Sequence, residues 1–212
     1  MLNEELQNYI DSFIQPRDGV FFDMEEYAKL HGVPIMEPAG IETMLQLLRI
    51  QQPESILEIG TAIGYSAMRM ASALPKSHII TMERDEDRCQ LAAEYMKRAG
   101  MQEQITLMKG DALELEAEAA VHAPFDAIFI DAAKGQYKRF FERYSRYLKP
   151  GGIIITDNIL FKGLVYNHES ASKRARSLAK KIDEFNRWLV ANEEYDTIIL
   201  PIGDGVAVSK MR

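Results

Sequence analysis

The sequence predicts an α/β fold: a mostly parallel sheet covered by helices, finished by an antiparallel hairpin at the C-terminal end. Three observations predict it. Apolar strand-like runs alternate with helix-period segments from residue 55 to residue 156, the pattern of successive strand–helix crossovers. The first such strand runs into a glycine-containing turn that opens a helix, Glu58-Ile-Gly-Thr-Ala-Ile-Gly-Tyr-Ser66. The last two apolar runs flank Gly203-Asp204-Gly205, a sequence suited to a hairpin turn.

The elements follow in order. The first ~50 residues read as helical, broken at Pro34 and Pro38. Pro38 is placed to open a helix whose apolar face is Ile41, Met44, Leu45 and Leu48, and proline is well tolerated at a first helical position. Pro53 ends that helix, and Ser55–Ile59 is the first strand. A helix from Tyr65 to Leu74 follows, then a second strand, His78–Glu83. The helix from Asp85 to Ala99 stops at Gly100, a good C-terminal signal. Ile105–Lys109 is the third strand, an Ala/Glu-rich helix covers ~113–122, and Phe125–Ile130 is the fourth strand. A helix through Phe140, Tyr144 and Tyr147 precedes a Lys149-Pro-Gly-Gly152 turn, and Ile153–Thr156 is the fifth strand. After a basic helical segment, 196–201 and 206–210 form the hairpin. With 212 residues and no linker, repeat or low-complexity segment, one domain is expected, with 1–52 as a helical extension of a core over 53–212.

Composition narrows the function. At 47% hydrophobic and 27% charged residues, the chain is ordinary globular protein, not a disordered one. No apolar run reaches the roughly 20 residues needed to span a bilayer. The start, Met1-Leu-Asn-Glu-Glu-Leu6, has neither the basic nor the apolar region of a signal peptide. The lone cysteine, Cys89, suits a reducing cytoplasm and falls in a helical stretch without the His, Lys or Arg arrangement that marks a nucleophile. A net charge of -7 and a pI near 5.2 argue against broad nucleic-acid binding. The charge is uneven, however. Lys162 to Arg187 carries seven basic and three acidic residues, a net +4 that leaves -11 for the rest. That segment reads either as a solvated helix face or as a surface for a polyanion.

In an open α/β sheet, ligands bind beyond the carboxyl ends of the strands. Here those ends carry Glu58 with Gly60, Glu83, Gly110-Asp111, Asp131 and Asp157-Asn158. Gly60 and Gly64 permit a sharp turn and close approach of a ligand. Glu83, 23 residues beyond Gly60, has the position of the acid that holds a ribose diol. A dehydrogenase is the natural competitor, but the turn reads G-x-x-x-G, and a carboxylate at Glu58 would repel a pyrophosphate. It suits instead the cationic amino-acid end of S-adenosylmethionine, which has no phosphates. Asp131 and Asp157-Asn158 close strands expected to be neighbours, so two carboxylates and an amide converge. Such acids repel unless neutralised, and a hard divalent cation with oxygen ligands neutralises them. The absence of clustered His or Cys argues against zinc. Helix caps and turns also use Asp and Asn, which remains the alternative for Asp157-Asn158 taken alone.

The glycine turn, Glu83, Gly110-Asp111-Ala112, and Asp131 followed three residues later by Lys134 resemble the class I methyltransferases. The likeness is to the cation-dependent branch that includes catechol and caffeoyl-CoA O-methyltransferases. It covers nearly the whole chain and implies a Rossmann-like fold with a mostly parallel seven-stranded sheet, a C-terminal antiparallel hairpin and extra N-terminal helices. It further implies Met36, Glu58, Gly60, Thr61, Ser66, Glu83, Asp111, Ala112 and Asp131 at the cofactor, and Asp131, Asp157 and Asn158 at Mg²⁺ or Mn²⁺. Lys134, beside Asp131, would assist deprotonation of the acceptor or stabilise its oxyanion. A homodimer, through the N-terminal helices, is expected from the same likeness. Asp204 is either a support for the site or a plain turn residue.

The chemistry requires an acceptor with adjacent oxygens, one of them a hydroxyl, which a catechol and 5-hydroxyuracil both provide. The segments 33–37, 128–137, 155–164 and 201–205 look closely like the bacterial tRNA 5-hydroxyuridine methyltransferases. That likeness implies conversion of 5-hydroxyuridine to 5-methoxyuridine at the anticodon wobble position. Arg17, Lys162, Lys173, Arg174, Arg176 and Lys180 would then meet the anticodon stem-loop. The alternatives are a small catechol-like acceptor, and a cofactor-binding protein without catalysis.

Overall fold

The computed structural model describes residues 4–167 and 171–212; Met1–Asn3, read above for targeting, and Glu169 of the basic segment lie outside them. Seven strands form one sheet: β1 (Ser55–Ile59), β2 (His78–Glu83), β3 (Ile105–Lys109), β4 (Phe125–Ile130), β5 (Leu148–Thr156), β6 (Tyr195–Leu200) and β7 (Val206–Met211). Their order is β3-β2-β1-β4-β5-β7-β6. All pairs are parallel except those made by β7, which runs antiparallel to both β5 and β6. The helices are α1 (Glu4–Asp11), α2 (Gly19–His31), α3 (Pro38–Gln51), α4 (Tyr65–Ala73), α5 (Glu86–Arg98), α6 (Glu116–Ala120), α7 (Tyr137–Tyr144) and α8 (Lys173–Val190).

Local chemistry sets several boundaries. Pro38 occupies the start of α3. The Asp85 side chain accepts the Arg88 N–H at the head of α5, and Ser172 accepts the Ala175 N–H at the head of α8, each satisfying a donor that the helix itself leaves open. The central strands are buried along almost their whole length, as strands covered on both faces must be. Alternate residues feed two apolar layers. Ile56, Ile79, Ala127, Phe129 and Ile155 pack with α2–α5 on one side, and Leu57, Ile80, Ile128, Ile130 and Ile154 with α7 and α8 on the other.

Two boundaries differ from the sequence reading. The expected helix over ~113–122 is reduced to Glu116–Ala120, a shortening that follows from local hydrogen bonding. The residues before it are drawn into a turn around Asp111, whose Oδ1 accepts the Leu113 N–H and whose carbonyl accepts those of Glu114 and Leu115. Lys149–Gly152 is no separate turn but part of β5: Leu148 pairs with Phe125 and Ile153 with Ala127, so the extra residues form an irregularity inside the strand. Side chains from elsewhere hold it there, the Gly151 carbonyl accepting from Gln51 Nε2 and from Lys210.

The order reverses between β1 and β4, both continuing to neighbours on opposite sides. The crevice of such a sheet lies at that reversal, beyond the carboxyl ends.

Candidate active site

A cavity of about 700 Å³ occupies that crevice, lined by the turn after β1, the ends of β2 and β4, and the segments after β3 and β5. Gly60 makes the crossing of β1 and β4 possible. Its φ is +105°, and a Cβ there would fall on the Asp131 carbonyl oxygen, so only glycine fits. The Gly60 and Thr61 N–H groups both donate to the Met82 carbonyl at 3.0 Å, and Asp131 N–H donates to the Ile59 carbonyl. The turn therefore ties three strand ends together.

Glu83 is fixed at the rim by backbone donors. Its Oε2 accepts the Ala62 N–H at 2.9 Å, while Oε1 accepts those of Arg84 and Asp85. Glu58 stands differently from the expectation that it faces the cofactor. It is wholly buried and does not line the cavity. Its two carboxylate oxygens accept the hydroxyls of Ser66 and Thr81. Burial pushes the Glu58 carboxyl up to about 7, although both hydroxyl donors favour its charged form. Ser66 and Thr61 line the cavity in front of it, and Thr61 shares a 2.6 Å contact with Thr81. Met36, Asp111 and Ala112 complete this half of the wall.

The other half gathers the acids of β4 and β5. Asn158 Nδ2 donates to Asp131 Oδ1 at 3.3 Å and to Asp157 Oδ2 at 2.6 Å. Both carboxyls are pushed above their ordinary values, first by burial; the charge of Asp131 raises Asp157 further. Two buried carboxyls this close, with only Lys134 among the described residues as a nearby cation, fit a hard divalent cation, which Asn158 would join through Oδ1 once its Nδ2 is turned away from them. Among the described residues no cluster of three or more His, Cys, Asp or Glu side chains could hold a metal, so any cation here would lean on the Asn158 amide as a third ligand. Lys134, in a 3₁₀ turn over Lys134–Gln136, lines the cavity beside these carboxyls. Burial lowers its pKa, opposed by the charges of Asp131, Asp204 and Asp157.

Lys162 and Asp204 also line the cavity. Lys173, Arg174, Arg176 and Lys180 do not; they are exposed on α8, whose Leu178 packs close to Gly135 beside Lys134. Arg17 is committed elsewhere: its Nε and Nη2 grip the Glu25 carboxylate at 2.6 and 3.1 Å, leaving its side chain 17% exposed. It is therefore removed from the basic surface proposed for it.

Several contributors were not singled out in the sequence. Thr81 closes the pocket around Glu58. Tyr137 donates to the Asp157 carbonyl at 2.9 Å, and Asn186 Nδ2 to the Ile159 carbonyl at 2.8 Å. Tyr65, at the cavity wall, donates to Glu25 and accepts from Arg69. Thr81 alternates with apolar neighbours along β2, a polar residue at a buried strand position, and was the one readable signal.

A mostly parallel sheet with its cavity at the topological reversal, a glycine turn and an acid at the second strand end define a Rossmann-like protein built to hold a nucleoside cofactor. Residues 24–212 match the O-methyltransferase family, and the chain belongs to that family. It is 32% identical over 216 aligned positions to a catechol O-methyltransferase of Niastella koreensis, covering 97% of this chain and 96% of that one. A crystal structure of a Staphylococcus aureus protein, provisionally assigned as a caffeoyl-CoA O-methyltransferase, superposes with a TM-score of 0.93 at 36% identity, covering 99% of this chain and all of that one. The Bacillus cereus O-methyltransferase in complex with SAH, the demethylated cofactor, superposes with a TM-score of 0.83 at 25% identity, covering 98% and 97%.

Proposed function

We propose that the chain transfers a methyl group from S-adenosylmethionine to the O5 hydroxyl of 5-hydroxyuridine at the tRNA wobble position, giving 5-methoxyuridine, with Mg²⁺ or Mn²⁺ held by Asp131, Asp157 and Asn158. The observation that carries the acceptor is the placement of α8. Its first turns pack beside Lys134, and Lys173, Arg174, Arg176 and Lys181 are exposed there without an acidic partner among the described residues. Exposed cations on the helix that packs beside Gly135 suit a phosphate backbone, and a loop base is easily splayed into a pocket. Phe161, at the cavity wall, offers a ring for stacking.

The chain's own residues divide the work. Glu83 accepts the ribose hydroxyls, Asp111 and Ala112 face the adenine, and Ser66 and Thr61 relay the carboxylate of Glu58 towards the amino-acid end. A divalent cation held by Asp131, Asp157 and Asn158 would supply Lewis acidity that lowers the pKa of the acceptor hydroxyl. Lys134, kept low by burial, takes the hydroxyl proton at Nζ. The oxygen then attacks the methyl carbon in line with the C–S bond; the O–C bond forms as the C–S bond breaks with its electron pair staying on sulfur, leaving S-adenosylhomocysteine. Residues 1–52 serve as an extension that carries Pro34–Met36 to the cofactor half of the cavity, and the whole acts as a cytoplasmic homodimer.

A catechol-like acceptor is the second reading, favoured by the catechol O-methyltransferase relative. The deciding experiment offers labelled S-adenosylmethionine, with Mg²⁺ or with EDTA, to tRNA bearing 5-hydroxyuridine and to catechol. Metal-dependent labelling of the tRNA with poor catechol turnover is expected. Labelling of catechol alone would leave the metal chemistry and remove the RNA.

A further inference from the structure

The segment after β5 is unusual in its backbone. Asn158, Phe161 and Lys162 have φ of +63°, +48° and +53°, a left-handed region that residues other than Gly, Asn and Asp rarely enter. Phe161 and Lys162 are consecutive, and both line the half of the cavity that faces Lys134. Strain of this kind persists only where the surroundings over-determine it, so the restraint has to be found.

It comes from the tip of the β6–β7 hairpin. The Lys162 N–H donates to Asp204 Oδ1. The Leu160 N–H donates to the Asp204 carbonyl at 2.9 Å, and the Ile159 N–H to the Gly205 carbonyl at 3.1 Å. Gly205 has φ +87°, and a Cβ on it would run into the Leu160 side chain, so the hairpin and the strap are in direct backbone contact. Asp204 is the one member that acts through its side chain, on a residue 42 positions away.

We infer that Asp204 is a positioning residue: its side-chain oxygen latches the Ile159–Gly163 strap to the hairpin and thereby shapes the acceptor half of the cavity, leaving the cofactor half untouched. The step rests on the proposed transferase reading for its kinetic consequence, though not for the latch itself. What matters is an acceptor oxygen for the Lys162 N–H. An amide oxygen in the same place supplies that, whereas the negative charge is not needed.

The test compares wild type, Asp204→Ala and Asp204→Asn as full-length protein. Hydrogen exchange of a peptide covering 157–166 reads the latch directly. Asp204→Ala should exchange at least about tenfold faster there, with the β1–α4 turn unchanged, and Asp204→Asn should stay within about threefold of wild type. Acceptor KM, for whichever of 5-hydroxyuridine RNA or catechol the wild type methylates, should rise about tenfold in Asp204→Ala and recover in Asp204→Asn, while S-adenosylhomocysteine affinity stays within about twofold. Unchanged exchange in Asp204→Ala, or failure of Asp204→Asn to restore it, overturns the latch. Loosened exchange with acceptor KM unmoved overturns the positioning role. Wild type inactive on both acceptors would overturn the proposed acceptors instead, with exchange still deciding the latch.

Discussion

Lys134 is the residue on which the proposed chemistry is most exposed to test. Its amine is partly buried and its pKa lowered, yet it stands among three carboxylates. Lys134→Ala should reduce single-turnover methyl transfer by about 10²-fold or more, while calorimetric affinity for S-adenosylhomocysteine changes by less than about threefold. Unchanged turnover would remove Lys134 from the reaction. Glu58 gives a separate test in the folding equilibrium. Its folded carboxyl is raised from 4.5 to about 7, so between those values the folded state holds a proton that the unfolded state has lost. Stability from this group is complete below pH 4.5 and declines as pH rises to about 7, by up to about 3 kcal/mol. Glu58→Gln lacks that decline. Urea unfolding should therefore show the variant gaining on wild type from pH 4.5 to pH 7; a constant difference would mean that the Glu58 carboxyl titrates alike in the folded and unfolded chain.

At the scale of elements, the turn after β1 does two jobs. It brings the cofactor wall to the end of β2 through the Met82 carbonyl, and it lets β4 deliver Asp131 alongside. Gly60→Ala puts a methyl group on the Asp131 carbonyl, which is backbone and cannot rotate away. We expect a loss of at least about 2 kcal/mol, seen as a melting temperature lower by about 4–8 °C, together with loss of S-adenosylhomocysteine binding. A variant that melts like wild type and still binds would show that β1 and β4 have more freedom than this contact allows. The α8 helix also does two jobs, its apolar face closing the second core layer through Ile182, Phe185 and Leu189, its basic face left to solvent beside the cavity.

For the molecule as a whole, the distribution of charge matters more than its sum. A net -7 disfavours polyanions at a distance, but the cations of α8 are gathered on one helix next to the catalytic cavity. Neutralising three of them in Lys173→Gln/Arg174→Gln/Arg176→Gln should raise KM for the RNA acceptor at least about tenfold and flatten the log–log dependence of affinity on salt by up to about 2. S-adenosylhomocysteine binding serves as the control for folding. An unchanged salt slope would return this face to the status of an ordinary solvated helix.

The order of strands and helices was legible in the sequence because it depends on local periods: apolar runs make strands, amphipathic runs make helices, and a parallel sheet then puts every carboxyl end on one side. Glu58, Glu83, Asp111, Asp131 and Asp157 could be read as strand-end acids for that reason alone. The sequence could not say which of them meets solvent. Glu58 is withdrawn behind Ser66 and Thr61, and Arg17 is held by Glu25, because burial and pairing depend on what packs across the chain. The same holds for the left-handed strap at Phe161–Lys162: local turns close it, but the Asp204 carboxylate that accepts the Lys162 N–H lies 42 residues on. Periodicity is a property of neighbours in sequence and fixed the architecture; the solvation and partners of each charge are properties of neighbours in space, and only the tertiary structure decided them.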